Sequence, residues 1–467
     1  LVRFEALDYV VLGAALAGFL GLGFSARLRE RTNLQLIAAG RKLTLPLFVA
    51  TLVTTWYGGI LGIGESFSSY GLATYTILAV PYYVFGAAFA LFMAGRVRVE
   101  DQISVPERLS RCYGTLAGVI GALLILLLAA PSAHVFMLGT LLESALGWHF
   151  LPSLAVGATV GTLFLYRGGL LADARSNLLS FAMMYVAFGV LLIASMAKFG
   201  SPFEAISALP NHLRGWSGSG VLFALSWFVL GAWTFVDPGF HQRVAAAMSP
   251  QVARRGVLIS VGFWMLFDLL SIGAALYGVA ALGSGHGAKL FPVFGDALLG
   301  PGVKGLFFAG MFGVVTSAMV GYTLVCGSTI GRDLAGKVLR LSESQAVLWT
   351  RIGIAAATAI GILLAVAIPS VVYLWYDLGG IAIPGLLYPT VFAYATRTPI
   401  SRQTAIACLT VGSGTALGWY AIGKAGSLPE SAANVPHLVT GLIAATLALA
   451  VGLALERRHS DERRSIS

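Results

Sequence analysis

Thr54-Thr55-Trp56-Tyr57-Gly58-Gly59-Ile60-Leu61-Gly62-Ile63-Gly64-Glu65 lies inside an apolar stretch, 45–70, long enough to cross a bilayer. It nevertheless carries two adjacent glycines, two more at a spacing of two, and a carboxylate. In hydrocarbon every backbone amide and carbonyl must find a partner, so helix breakers in mid-span are tolerated mainly where the freed groups line a cavity or bind something. A second stretch has the same character: Leu230-Gly231-Ala232-Trp233-Thr234-Phe235-Val236-Asp237-Pro238-Gly239. Its Asp-Pro-Gly removes a hydrogen-bond donor and bends a helix. In the series of apolar stretches these two are the second and the seventh, five apart. Broken helices at corresponding positions of two five-helix halves point to a binding site near the bilayer midplane, and an odd number of helices per half requires the second half to be inverted.

The rest of the chain agrees with a bilayer environment. Of 467 residues, 57% are hydrophobic and only 11% charged, where a soluble domain carries about 25% charged residues. Glycine, at 57 residues, suits close helix packing in lipid. A span needs about 20 apolar residues. Thirteen candidates stand near 8–26, 45–70, 73–95, 113–143, 149–166, 177–198, 217–242, 256–282, 303–330, 345–368, 370–396, 403–423 and 435–455. No polar linker divides them, so the expected architecture is an all-α polytopic membrane protein with a single membrane domain. The first apolar run lacks a charged leader and a clear cleavage site and reads as a span. The segment 283–302 reads either as a short lid helix or as a plain connector, and the tail 456–467 as too short for a catalytic domain. Cys112, Cys326 and Cys408 have no metal-binding spacing.

Charge sets the orientation. Alternate loops, beginning after the first span, hold 23 of the 30 basic residues, among them Arg27, Arg29, Arg31, Arg96, Arg98, Arg243, Arg254, Arg332, Arg397 and Arg457. The positive-inside rule then puts the N-terminus outside and the C-terminus in the cytoplasm. Basic residues spread over seven loops anchor topology, and the net charge of +10 does not imply nucleic acid.

Four carboxylates, Glu65, Asp237, Asp268 and Asp377, fall within spans, where an acidic group costs up to about 3 kcal/mol and usually faces a cavity or a partner. Glu65 or Asp237 is a candidate to meet a cationic group on a substrate or to carry a proton. For Asp237, just before Pro238, capping of the broken helix is the other reading. Thr55 and Trp56 from the first break, with Trp233, Thr234 and Phe235 from the second, are the remaining candidates for a substrate site, which would suit a small organic solute. His134, His149 and His241 are far apart and read as structural.

Several motifs resemble the sodium:solute symporter family, which includes proline, sugar, sialic acid and pantothenate symporters. Ala39-Gly40-Arg41-Lys42-Leu43 is similar to the family's Gly-Arg-Ser-Leu ahead of its first core helix. Tyr166-Arg167-Gly168-Gly169-Leu170-Leu171-Ala172 is similar to its Tyr-x-x-x-Gly-Gly-x-x-Ala, and the stretch from Pro238 to Arg243 to its Gln-Pro-His-x-x-x-Arg. Val314-Val315-Thr316-Ser317-Ala318, followed by Leu324-Val325-Cys326-Gly327-Ser328 and Arg332-Asp333-Leu334, resembles its hydroxyl pair, Ser-rich helix and Asp-Leu end. The resemblance covers about residues 5–425. It implies a LeuT-type fold of two inverted five-helix repeats, about 45–198 and 217–396, after an extra helix at 8–26 and before two helices within 403–455. It also implies cation-coupled symport by alternating access across the plasma membrane, with sodium the expected cation. The implied sodium ligands are the carbonyls of Thr54, Tyr57 and Val314 and the hydroxyl of Ser317.

Two departures bear on the ion. Counted from Asp333, the second hydroxyl of the pair falls on Ala318, whereas a register one residue earlier makes Thr316 and Ser317 the pair. The family's Thr-Asp after Gly-Gly is here Ser176-Asn177. At most one sodium site is expected, with proton coupling or no ion as alternatives. The same fold could also serve a non-transporting solute sensor. A membrane-embedded enzyme is disfavoured, since no nucleophile or paired-carboxylate motif is legible. The expected partners are a small organic solute and the lipid bilayer, and the expected state is a monomer or weak homo-oligomer.

Overall fold

The structure is a computed structural model and describes residues 2–26, 32–163, 165–215, 220–395, 400–429, 432 and 434–466. Arg27, Arg29, Arg31 and Arg397 from the basic loops lie outside the described residues. Secondary structure is helical almost throughout, as hydrocarbon demands of a chain whose backbone must satisfy itself. Helix α1 spans Ala6–Ser25, and α2 is built in two halves, α2a Leu45–Trp56 and α2b Ile60–Tyr70. Next come α3 Tyr75–Val99, α4 Thr115–Leu146, α5 Phe150–Thr162 and α6 Leu165–Phe199. The second broken helix is α7a Gly220–Leu230 with α7b Pro238–Ala246. The remainder are α8 Pro250–Leu282, α9 Val303–Ser328, α10 Glu343–Ala367, α11 Val371–Ala395, α12 Arg402–Lys424 and α13 His437–Ile466.

Twelve of these, among the described residues, are long and apolar enough to cross a bilayer. The fifth expected span corrects in length: α5 is a helix of 13 residues, about 20 Å at 1.5 Å per residue, shorter than a hydrocarbon core of about 30 Å. The segment 283–302 contains a helix, Leu290–Leu298. Its Leu290 and Phe291 lie where a side chain on Gly64 of α2b would reach them, at 3.2–3.4 Å.

Burial sorts the helices into a centre and a rim. The apolar stretch of α2 is 89% buried and that of α9 83%, while those of α1 and α13 are 17% buried. The broken helix and α9 are therefore enclosed by protein, and α1 and α13 turn most of their apolar surface to lipid. Small residues let the central helices approach. A Cβ on Gly310 of α9 would lie 2.9 Å from Ala187 of α6, and one on Gly313 2.8 Å from Ser180 Oγ. Close backbone approach of this kind supplies the packing that holds helices together in lipid.

The two broken helices run antiparallel. Ahead of α2a, Leu43 N donates to Ala246 O (3.1 Å) at the end of α7b, and Met248 N donates to Leu43 O (2.9 Å). At the other end Leu72 N, just after α2b, donates to Leu213 O (3.0 Å) in the segment leading to α7a. The start of each broken helix thus meets the end of the other, as inversion of one half relative to the other requires. Gly71 makes the second junction possible: its φ is +56°, and a Cβ there would lie 2.0 Å from Leu213 O, so only glycine fits.

Candidate functional site

The first break is a single tightened turn. Over Tyr57–Gly59 the helix narrows to 3-10 geometry, and Tyr57 N donates to the carbonyls of Val53 and Thr55. Gly58 is the point of closest approach to α9: a Cβ on it would lie 2.0 Å from the Ala318 methyl and 3.0 Å from Val314 O. Opposite, Gly59 and Gly62 receive the Trp375 ring of α11, at 2.4 and 2.6 Å from where their Cβ atoms would be. Gly58, Gly59 and Gly62 therefore seat α2 between α9 and α11.

The second break is longer. After α7a come a turn at Gly231-Ala232, one helical turn over Trp233–Val236, and an extended Asp237 (ψ 114°). Asp237 then caps α7b, its Oδ1 accepting from Phe240 N (2.6 Å), with Pro238 at the first helical position. Its other oxygen accepts from Trp233 Nε1 (2.9 Å) and Tyr322 Oη (2.7 Å).

Between the breaks lies a cavity of about 110 Å³. Thr55, Trp56 and Tyr57 of α2 and Trp233 and Asp237 of the second break line it, with Asp268 of α8, Tyr322 of α9 and Trp375 of α11. Trp56 stacks on Trp264 (4.8 Å between centroids) and stands edge-on to Tyr82 (4.9 Å). Asp268 accepts from Tyr83 Oη at 2.5 Å. Two carboxylates and several aromatic faces thus meet in one space, with no Lys or Arg among the lining residues.

Of the expected substrate residues, Thr55, Trp56, Trp233 and Asp237 line this cavity, and three do not. The Thr234 hydroxyl is buried and bonds back to Gly231 O (3.0 Å). Phe235 packs between Phe85 and Phe89 of α3. Glu65 accepts from the Ser370 hydroxyl and from Val371 N (3.0 Å), so its carboxylate caps α11. Asp377 is also elsewhere, bonded to Tyr420 Oη (3.0 Å).

The expected ion ligands divide by helix face. Val314 O and Ala318 face Gly58, and Ser317 Oγ stands 3.4 Å from Thr55 Oγ1. Thr316 points elsewhere: its methyl approaches Gly161 of α5, and it lines a separate small void with Leu16, Phe19 and Met183. Thr316 thus turns to α5 and this void, while Ser317 and Ala318 turn to α2. Thr316, expected as one of a pair, is therefore not brought to the face toward α2, which presents one hydroxyl, Ser317. Tyr57 O accepts from Ile60 N, and the Thr54 hydroxyl donates to Asn177 O (3.4 Å).

Two residues stand otherwise than the sequence placed them. His134, taken as structural at a helix end, lines the cavity, stacks on Tyr322 (5.1 Å) and leaves Nδ1 without a partner among the described residues. Arg243, assigned to a basic loop, is fully buried and pairs with fully buried Asp173 at 2.8 Å. Arg243 Nη2 also donates to Thr55 Oγ1 (2.7 Å), and its Nε to Thr51 Oγ1 (3.3 Å). The available signal was Asp173 four residues before Asn177, hence on the same helix face. That face continues into the span expected from 177, and an Asp on it called for a cation.

The fold and this site define a secondary active transporter: a LeuT-type helical membrane protein with a cavity between two broken, antiparallel helices. Residues 36–393 match the Sodium:solute symporter family, and the chain belongs to that family. It is 24% identical over 416 residues to an osmoregulated proline transporter of Bacillus subtilis (strain 168), covering 83% of this chain and 82% of the other. It is 25% identical over 364 residues to a sodium/proline symporter of Escherichia coli (strain K12), covering 71% and 72%. Among solved structures, a Na+-coupled sialic acid symporter superposes with a TM-score of 0.76 at 14% identity, covering 97% of this chain and 98% of that one. A nucleobase-cation-symport-1 family transporter gives 0.54 at 14% identity, covering 91% and 95%. Family and fold are those of transporters that move a small solute together with a cation.

Proposed function

We propose that the chain is a plasma-membrane symporter that uses the sodium gradient to import a small solute bearing an ammonium group. The observation that carries this reading is the cavity, in which Asp237 and Asp268 stand among aromatic faces with no Lys or Arg among the described lining residues; Arg243, behind Asp237 at Gly239, is already paired with Asp173. An ammonium supplies that charge, and aromatic faces attract it further. A carboxylate on the same solute would face the N-terminal end of α2b, where the helix dipole favours negative charge. Proline has both groups, and two relatives named above are proline transporters, so proline is the first solute to test. Sodium takes oxygen ligands, and the Ser317 hydroxyl with the carbonyls of Val314, Thr54 and Tyr57 supports a single site between α2 and α9. The repeats comprise about 45–198 and 217–396, with the N-terminus outside and the C-terminus in the cytoplasm. The expected state is a monomer or weak homo-oligomer.

The test is uptake of labelled proline into proteoliposomes under an inward sodium gradient, with potassium as control. Sodium-driven accumulation is expected, and Asp268→Asn is expected to raise KM for an ammonium solute at least about tenfold, since a charge-assisted contact is worth roughly 1.5–3 kcal/mol. Accumulation driven equally by a proton gradient without sodium would support the proton-coupled alternative. Saturable solute binding with no counterflow would support the sensor.

A further inference from the structure

The Arg243 guanidinium is held by oxygens from three separate helices. Asp173 Oδ2 of α6 accepts at 2.8 Å, Thr55 Oγ1 and Thr51 Oγ1 of α2a at 2.7 and 3.3 Å, and Gly239 O of α7b at 3.2 Å. Asn177 closes the ring, its Nδ2 donating to Asp173 Oδ1 (3.2 Å) and to Thr51 Oγ1 (2.8 Å). Its own Oδ1 is buried with no hydrogen-bond partner among the described residues. The guanidinium also abuts α9, where a Cβ on Gly321 would come within 2.6 Å of Nη2. Gly321 is one turn beyond Ser317 on the same face of α9, and the Thr55 hydroxyl that accepts from Arg243 stands 3.4 Å from Ser317 Oγ.

We infer that Arg243 is a built-in cation: its guanidinium fills an oxygen cage beside Ser317 that would otherwise bind a second metal cation, so the chain couples to one sodium ion and not two. This rests on the reading that sodium binds at Ser317. The chemistry of the cage supports it. A carboxylate, two hydroxyls, a carbonyl and an unpartnered amide oxygen are hard donors of the kind that sodium and other hard cations take. Buried oxygens of this type need a cation, because a buried carboxylate is costly without a partner. The chain provides one covalently and so does not draw it from solution. Asp173 has a second role. By neutralising the guanidinium it allows a mobile cation to bind one turn away, where an unpaired positive charge would repel it.

The experiment is sodium-dependent melting of the full chain in detergent at matched ionic strength, sodium against choline, since a ligand of the folded state raises the midpoint by mass action. Wild type is expected to titrate with a slope near one site and to lose the response on Ser317→Ala. The double variant Arg243→Ala/Ser317→Ala is expected to regain a sodium-specific rise through the emptied cage, and adding Asp173→Asn is expected to abolish it. No sodium response in the double variant overturns the inference. A response there with none in wild type would overturn the Ser317 reading and leave the cage standing. Should Arg243→Ala not fold in either salt, Asp173→Asn alone decides. It keeps the guanidinium and unpairs it, and the half-saturating sodium concentration is expected to rise about tenfold. An unchanged value overturns the inference.

Discussion

At the scale of single residues, intramembrane carboxylates separate by what they touch. Asp237, Asp268, Glu65 and Asp377 are alike in sequence, since each is an acidic group in an apolar run. Asp268 reaches the cavity beside the Tyr83 hydroxyl, whereas Glu65 is turned away to the first residues of α11. Glu65→Gln is therefore expected to act on stability. An amide keeps one acceptor but loses the charge that suits a helix N-terminus, so about 1–2 kcal/mol should be lost. A melting scan beside a solute uptake assay checks this: the midpoint falls by several degrees while KM for solute and half-saturating sodium stay within about twofold. A large rise in KM would return Glu65 to the substrate site.

At the scale of elements, the decisive contact is that of α2 with α9. It depends on the absence of a side chain at Gly58, whose Cβ would overlap the Ala318 methyl at 2.0 Å. Gly58→Ala should force α2 and α9 apart, costing about 1–3 kcal/mol as overpacking does, and should weaken sodium binding by separating Val314 O and Ser317 from α2. Ala318→Gly in the same chain removes the overlapping methyl and is expected to restore part of both. Sodium titration of melting for the single and double variants measures this. Failure of the double variant to recover would mean that the backbone at Val314, 3.0 Å from the same Cβ, sets the limit.

At the scale of the whole molecule, the pairing of the ends of the two broken helices fixes their relative direction, and charge bias predicts which side is which. The loop before α7a is expected outside and the loop between α7b and α8 in the cytoplasm. Ala208 and Arg254 are both exposed, so single cysteines can report this. Ala208→Cys should be labelled by an impermeant maleimide in intact cells and Arg254→Cys only after permeabilisation. The reverse pattern would invert the orientation and with it the assignment of import.

The sequence by itself determined the membrane architecture, the positions of both breaks and the family. The bilayer imposes a one-dimensional rule: long apolar runs span it, and glycine or proline within them marks places where protein surrounds the backbone. Only the tertiary structure decided which side chains face the site. Along a helix each residue turns by about 100°, so a register uncertain by one residue left Thr316 and Ala318 as rivals until packing placed Ala318 against Gly58 and Thr316 against Gly161. Arg243 could not be resolved from its neighbours either. A basic residue near the end of a span reads as an anchor in water, and its partner Asp173 lies 70 positions earlier in the chain. The pairing that buries both exists only where three helices from different parts of the sequence converge.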